Sequence, residues 1–395
     1  MNLRRVLPPL GLLASLCTVV AHSYSQADSI SVVLGEKLSL PSKVLNEDRV
    51  VWIHTPSTYA DCAFACPVLY LLDGQWHFPH AVMTVEYLSR RLKIPPMIVV
   101  GIQNTNRRKD FEPIYTPTSD PGRPDNTPLE IGSDGFERFL REELIPYVDL
   151  HYRTMPLRIL EGHSLGAMFA TTVLQQTPEL FNSFIVLSPA YYGENLTLVE
   201  RLGRFLVDHP DLRKSIFVAL GSEWDLIHQG VDSLISQLVD HAPPSLRWHL
   251  EHYPHEDHNS VPLLSTYEGL RFVFAHWPVD VTDTAQVATF EMLKQHYASL
   301  SEEFGCEFVP DENVVESLGY ELLYGRNNVE GALAVFKENV RSHPTCFSAY
   351  QGLGESYMIK GEKDLAIQNL RKSIELNPQN ERAQELLDRL EYEEE

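Results

Sequence analysis

The sequence predicts an α/β fold, a mostly parallel sheet with helices on both faces, followed by an all-α C-terminal extension. Three observations predict it. From about Ser29 to Pro278, short β-branched runs alternate with longer amphipathic stretches, the pattern of strand–helix–strand units joined by right-handed crossovers. A Gly-x-Ser-x-Gly turn lies directly between one such run and a helical pattern. Beyond Pro278 the strand signal stops, and residue types recur at a fixed offset of 34 positions.

Residues 1–27 read as a signal peptide rather than as part of the fold. Arg4 and Arg5 form a basic head, Leu7 to Val20 is an apolar run, and small residues precede Asp28. The apolar run is shorter than the roughly 20 residues of a membrane span. Cys17 follows the bulky Leu16, which argues against a lipid-modified cysteine. The mature chain is therefore expected to be soluble and exported, periplasmic or extracellular. Its formal charge moves from −22 to −24 with the loss of Arg4 and Arg5, so nucleic acid and anionic membranes are not expected partners.

Strands are predicted at Ile30–Leu34, Val50–His54, Val68–Leu72, Met97–Ile102, Arg158–Glu161, Phe184–Leu187, Ile216–Leu220 and Arg247–Tyr253. Most from Val68 onward are almost uniformly apolar, as strands buried on both faces are. Helices are predicted at His77–Arg91, Ser133–Leu150, Leu165–Gln175, Leu226–His241 and Pro262–His276. This hydrolase-like domain spans residues 28–280. A linking helix at Thr282–Glu303 falls within residues 281–310, and residues 311–395 carry the repeat. There Ala332 recurs as Ala366, Phe336 as Leu370 and Pro344 as Pro378, the tetratricopeptide spacing. Two repeats with a capping helix at Asn380–Tyr392 bury little alone. They are expected to lean on the first domain or to hold a protein partner.

Four cysteines follow the leader. Cys62 and Cys66 could close a small loop, and Cys306 and Cys346 could pair or stay free. No further ligands complete a zinc site around them.

The chemistry is concentrated at Gly162-His163-Ser164-Leu165-Gly166. A strand, a tight turn and a helix in that order present the Ser164 hydroxyl at the carboxyl edge of the sheet. The Leu165 amide opens the helix, where partial positive charge favours an oxyanion. A serine nucleophile needs a base and an acid, placed after later strands. His258 is favoured as base over His255 by its position after the last strand, and Glu223 as acid over Asp225 by closeness to a strand end. His249 and His252 face opposite sides of a strand, so the histidine-rich run is not a metal site. In the turn Leu72-Asp73-Gly74-Gln75-Trp76, the Gln75 amide is the second expected oxyanion donor, and Trp76 is a candidate pocket residue.

Several phrases resemble the esterase D-type branch of the α/β-hydrolases, which includes S-formylglutathione hydrolases, feruloyl esterases and siderophore esterases. They are Tyr70-Leu-Leu-Asp-Gly74, Val100-Gly-Ile-Gln-Asn-Thr-Asn-Arg107-Arg-Lys-Asp110, Glu142-Glu-Leu-Ile-Pro-Tyr147, the serine elbow and Asp257-His-Asn-Ser-Val-Pro262. The resemblance implies an α/β-hydrolase fold with Ser164 as nucleophile and His258 as base. It implies a structural pairing of Arg107 and Asp110 near the site, with Arg107 also a candidate pocket residue inside a local basic patch, Arg107-Arg108-Lys109. Ser188-Pro-Ala-Tyr191-Tyr192 departs from the family's tryptophan after Ser-Pro, which makes Tyr191 a candidate pocket wall. The expected activity is hydrolysis of a small-molecule carboxylic ester through an acyl-enzyme, with no metal or organic cofactor. Acyl transfer, and a scaffold acting through the helical tail, are the alternatives.

Overall fold

The computed structural model describes residues 31–60, 64–112, 132–192 and 196–392. The segment read as a signal peptide, Cys62 and nearly all of the insert 111–132 lie outside the described residues. One compact unit runs from Leu34 to the C-terminus.

The first strands are β1 (Glu36–Ser42), β2 (Glu47–His54) and β3 (Cys66–Leu71), followed by helix α1 (Gly74–Arg90), β4 (Ile98–Ile102) and the short α2 (Arg107–Phe111). Next come α3 (Ser133–Phe139), a π-turn at Leu140–Leu144, α4 (Ile145–His151), β5 (Thr154–His163), α5 (Leu165–Gln176), β6 (Ser183–Leu187) and α6 (Leu196–Asp208). The sheet finishes with β7 (Ser215–Ser222), α7 (Asp225–His241), β8 (Arg247–Asp257) and α8 (Val261–Val273). Strand order is β1-β2-β4-β3-β5-β6-β7-β8. β1 and β2 run antiparallel at one edge, and β3 to β8 are parallel. This is the α/β-hydrolase architecture.

Successive residues of β5 face opposite sides of the sheet. Leu160 packs with α5 residues Met168, Phe169 and Val173. Ile159 packs on the other side, with Phe78 and Val82 of α1 and Leu270 of α8. Arg49 is fully buried on β2, bonded to Asp110 of α2 at 2.5 Å and to Thr105 at 3.0 Å, with its guanidinium 5.0 Å from the Phe136 ring centroid. Burial of the Asp110 carboxyl outweighs the pull of Arg49 and pushes it up to about 6. The family phrase thus pairs Asp110 with Arg49, and not with Arg107.

Three sequence expectations are corrected. Residues 31–34 form no strand; the edge strand is β1, where alternate Leu38 and Leu40 lie half-buried against the core cluster. A run that alternates with polar residues carries half the apolar signal of a central strand. Cys66 is free and buried in β3, and Cys306 is free, so neither Cys62–Cys66 nor Cys306–Cys346 is a disulfide; Cys346 is bonded to another partner. The linking helix begins later than Thr282, as α9 (Phe290–Phe304). Asp280 and Asp283 instead accept from the backbone amides of Thr282 and Ala285, local turns that compete with helix. Helix α6 was not anticipated, although Leu198, Val199, Leu202 and Leu206 form its buried stripe.

After α9 every element is helical: α10 (Glu312–Tyr320), α11 (Val329–Ser342), α12 (Phe347–Lys360), α13 (Lys363–Leu376) and α14 (Glu381–Tyr392). The hydrophobic cluster of the α1/α8 face continues without a break through Leu293 and Tyr297 of α9 into Val314, Val315, Phe336 and Leu353. The helical region therefore shares its core with the sheet. Phe336 fits between two glycines: a Cβ on Gly319 would lie 2.4 Å from its ring, and one on Gly352 2.2 Å. Gly352→Ala should overpack this crossing and lower stability by about 1–3 kcal/mol, read as a reduced midpoint in urea denaturation.

Candidate active site

Ser164 adopts φ 60° and ψ −116° between β5 and α5, a strained conformation for a residue with a side chain. Three backbone bonds hold it. Its N–H donates to the Leu187 carbonyl at 2.8 Å, and its own carbonyl accepts from Met168 at 3.1 Å and Ala190 at 3.2 Å. Gly162 must lack a side chain, because a Cβ there would meet the Gly166 backbone at 2.4 Å. The turn leaves Ser164 partly exposed at the carboxyl edge of the sheet, while Gly162 and His163 beside it are buried.

The residues expected to partner Ser164 follow the last two strands. β7 and β8 pair Ser222 with Asp257, so Glu223 and His258 each stand one residue beyond matched strand ends. The register shifts just before that pair, and a Cβ on Gly221 would lie 2.8 Å from the Glu256 carbonyl. Glycine is needed for that approach. His258 Nδ1 lies 2.8 Å from Glu223 Oε2, with the carboxylate side chain fully buried. Asp225 is exposed at the start of α7, and His255 is exposed on β8. The Asp257 carboxylate accepts from the amides of Asn259 and Ser260, at 2.8 and 2.9 Å, which fixes the turn carrying His258 and lowers the Asp257 pKa.

The His163 ring, next to the elbow serine, lies 4.6 Å from the His258 ring, so the loop from β8 reaches the elbow. His77 of α1 is 5.6 Å from His163, and its Nδ1 is 3.1 Å from His80 Nε2. Burial drives His77 and His80 down to about 4 and His163 well below 6.5. All three are neutral imidazoles around the site at neutral pH.

Asp73 closes the arrangement from the third side. It is fully buried, left-handed at φ 55°, and opens α1. Arg107 holds it with a fork of three contacts between 3.0 and 3.1 Å, and the same guanidinium donates to the His163 carbonyl at 2.8 Å. Asn104 Nδ2 also donates to Asp73. A Cβ on Gly166 would lie 3.3 Å from Asp73 Oδ2, so the turn before α1 abuts the start of α5. The amides of Gln75 and Leu165, each in the first turn of its helix, precede any intrahelical acceptor and open onto neighbouring turns. Burial raises the Asp73 pKa against the opposing pull of Arg107.

The candidate pocket residues fare differently. Trp76 is exposed on α1, available to a ligand rather than packed in the core. Tyr191 is corrected: it is fully buried, its hydroxyl is bonded to Thr171, and a Cβ on Gly230 of α7 would meet its carbonyl at 2.2 Å. It is core, and the half-exposed residue of the pair is Tyr192. Arg107 is only 26% exposed and engaged with Asp73, so it clamps the site instead of offering a free cation. Trp224 went unnoticed as a pocket residue. Its exposed ring lies 5.4 Å from His258, and an aromatic inside an acidic loop was the available signal. Among the described residues no group of three or more His, Cys, Asp or Glu is arranged to hold a metal ion, and no helix is long and apolar enough to cross a membrane.

Comparison with known proteins places the chain among esterase-like sequences and structures. Residues 42–227 match the model of a family described as "Putative esterase". Ferri-bacillibactin esterase BesA of Bacillus subtilis is 31% identical over 176 residues, 41% of this chain and 61% of that protein. Siderophore enterobactin esterase of Emericella nidulans is 28% identical over 176 residues, 37% of this chain and 56% of that protein. The matched stretch thus spans about three-fifths of these relatives' lengths. An IroE-like serine hydrolase structure from Shewanella oneidensis superposes with a TM-score of 0.66 at 27% identity, over 76% of this chain and 98% of that one. An uncharacterised protein from Capnocytophaga ochracea shares the fold over 90% of this chain and 99% of its own, at TM-score 0.59 and 19% identity.

Arg107→Leu should leave the Asp73 carboxylate buried without its cation. The expected loss is toward the lower end of roughly 3–5 kcal/mol, because Arg107 is partly solvated. Adding Asp73→Asn should recover part of it, a coupling measurable by urea denaturation of the four proteins in a double-mutant cycle.

Proposed function

We propose that this chain, whose residues 42–227 match an esterase family, hydrolyses carboxylic esters through an acyl-enzyme on Ser164. His258 takes the serine proton during attack and returns it to the leaving alcohol. It then activates water for deacylation. Glu223 holds the imidazole in the tautomer that carries a proton on Nδ1, and stabilises the imidazolium that forms. The Leu165 and Gln75 amides receive the oxyanion. The observation that supports this reading best is the 2.8 Å contact of His258 with the buried Glu223 beside a strained serine elbow.

Siderophore esters are the substrate class to test first, because the names of BesA and the Emericella enzyme say that they act on siderophores. The exposed Trp76 and Trp224 offer aromatic surfaces at the rim of the site. Against a panel of acetyl, feruloyl and catecholate-trilactone esters, the wild-type chain should hydrolyse at least one. Ser164→Ala should abolish turnover and labelling by a fluorophosphonate probe, with its melting curve unchanged. Glu223→Gln should lower kcat on the order of 10²- to 10⁴-fold. Full activity in the serine variant would refute the assignment.

We also propose that residues 1–27 direct export and are removed. Amino-terminal sequencing of the protein recovered from the cell envelope or medium should then begin at Asp28; an intact Met1 terminus would oppose this.

A further inference from the structure

Glu161 is a carboxyl group that the proposed reaction does not use. It precedes Gly162 on β5 and is fully buried. By alternation it faces the α1/α8 side of the sheet, as His163 does two residues later. Its surroundings hold one polar contact. Thr266 Oγ1 of α8 lies 2.6 Å from Glu161 Oε1, while Glu161 Oε2 has no partner. The same Thr266 hydroxyl lies 2.8 Å from the Pro262 carbonyl in the first turn of α8.

A hydroxyl has one proton and can donate once. With Glu161 ionised, Thr266 serves either the carboxylate or the Pro262 carbonyl, and a charge with an orphaned oxygen remains in the core. With Glu161 protonated, the charge is gone, both contacts of Thr266 are satisfied, and only a neutral carboxyl oxygen stays without a partner. The carboxyl donates to Thr266 Oγ1, and Thr266 donates to Pro262.

No positive charge from the packed elements offsets an ionised Glu161. On α1, His77 and His80 are held neutral, and Glu86 is engaged with His54 and Arg90. His163 on β5 is neutral as well. On α8, Arg271 pairs with Glu268 at the surface. Asp73 after β3 is held by Arg107. His258, in the loop before α8, pairs with Glu223. β6 (Ser183–Leu187) has no ionisable side chain. Burial accordingly pushes the Glu161 carboxyl up to about 7, with only the Thr266 contact opposing.

We propose that Glu161 is a positioning residue for the Ser164–His258 pair: as the protonated acid it latches β5 to the first turns of α8 through Thr266 and Pro262, and so holds the His258 loop against the elbow. Pro262 lies four residues beyond His258 and Glu161 three before Ser164, so the latch spans the two halves of the site by the shortest route. This inference rests on the reading of Ser164 and His258 as nucleophile and base. The latch itself is a property of the fold.

The consequence has a definite sign. Glu161 binds its proton more tightly in the folded chain, at about 7, than at its ordinary 4.5. Between those values the folded state carries the extra proton, so stability falls as pH rises through that window and levels off above it. Glu161→Gln keeps a donor at every pH. The Tm of the wild type minus that of Glu161→Gln should therefore decline from about pH 4.5 to about pH 7 and then flatten; a flat difference overturns the proposal. The kcat of the wild type relative to Glu161→Gln should drop about tenfold between about pH 6 and about pH 8, the fall in protonated fraction of such a group, with the KM ratio unchanged. An unchanged kcat ratio also overturns it.

Should Glu161→Gln fail to fold, hydrogen exchange of the wild type over Val261–Val273 decides. Corrected for intrinsic rates, protection must be lower at about pH 8 than at about pH 6, and equal protection refutes the latch. Repeating the Tm comparison in a Ser164→Ala background separates the two claims. A linkage that persists there, together with a wild-type chain that hydrolyses no ester of the panel, leaves the latch standing and refutes the esterase reading alone.

Discussion

The catalytic edge depends on one backbone constraint, the left-handed turn that Ser164 makes between β5 and α5. Such a conformation costs on the order of 1–3 kcal/mol and persists only where surrounding structure over-determines it. Three elements do so. The end of β6 supplies the Leu187 acceptor and the Ala190 donor. Gly162 and Gly166 let strand and helix close on each other. Arg107 grips the His163 carbonyl one residue before the serine and, with the same guanidinium, the Asp73 carboxylate before α1. The elbow and the turn expected to supply the second oxyanion donor are therefore set by one ion. A carboxylate buried this completely is stable only with such a partner, which explains why the clamp is built from Arg107 rather than from a neutral side chain.

Much of this was legible in the sequence, and the unread parts share a physical reason. The elbow is a local feature: an apolar strand, two glycines and a helix start write it into ten consecutive residues. The 34-residue offset that pairs Phe336 with Leu370 is likewise local, because small residues must recur wherever large ones cross, as Gly319 and Gly352 do around Phe336. Glu223 and Asp225 could be ranked only weakly, since what separates them is the β7–β8 register and the irregularity beside Gly221. Nothing in two nearby carboxylates encodes a pairing with a distant strand. Tyr191 was misplaced for the same reason. Whether a tyrosine after Ser-Pro turns inward depends on Thr171 and Gly230, contributed by two helices on either side of it in sequence. Cysteine spacing was also uninformative, because Cys66 opens β3, is buried in the core and stays a thiol.

The histidines show how burial sorts chemically identical side chains. His77, His80 and His163 crowd the site, yet burial keeps each of them uncharged at neutral pH. His258 has the buried Glu223 carboxylate on Nδ1 and solvent on its open side. Of these four imidazoles, His258 is the one with an anion placed to stabilise its charged form, which suits it to the role of base in the proposed reaction. The neutral neighbours add bulk and exclude water without competing for that role.

The two faces of the sheet consequently carry different duties. The α5 face is a dense apolar core that fixes the serine. The other face carries α8, and α8 leads directly out of the His258 loop. The far end of α8 is pinned by Arg247, whose guanidinium donates to the Phe272 carbonyl at 2.7 Å and pairs with Glu303 of α9. The near end is held at Thr266 and Pro262. α9 shares its apolar cluster with α8, α10 and α11, and the same cluster takes in Ile159 of β5 and Leu187 of β6, so the helical region packs on the sheet face that carries α8. Ser164 is fixed by the backbone of its own turn, and His258 sits on a loop whose following helix is anchored at Phe272 and at Thr266, so the two candidate groups are positioned by separate sets of contacts.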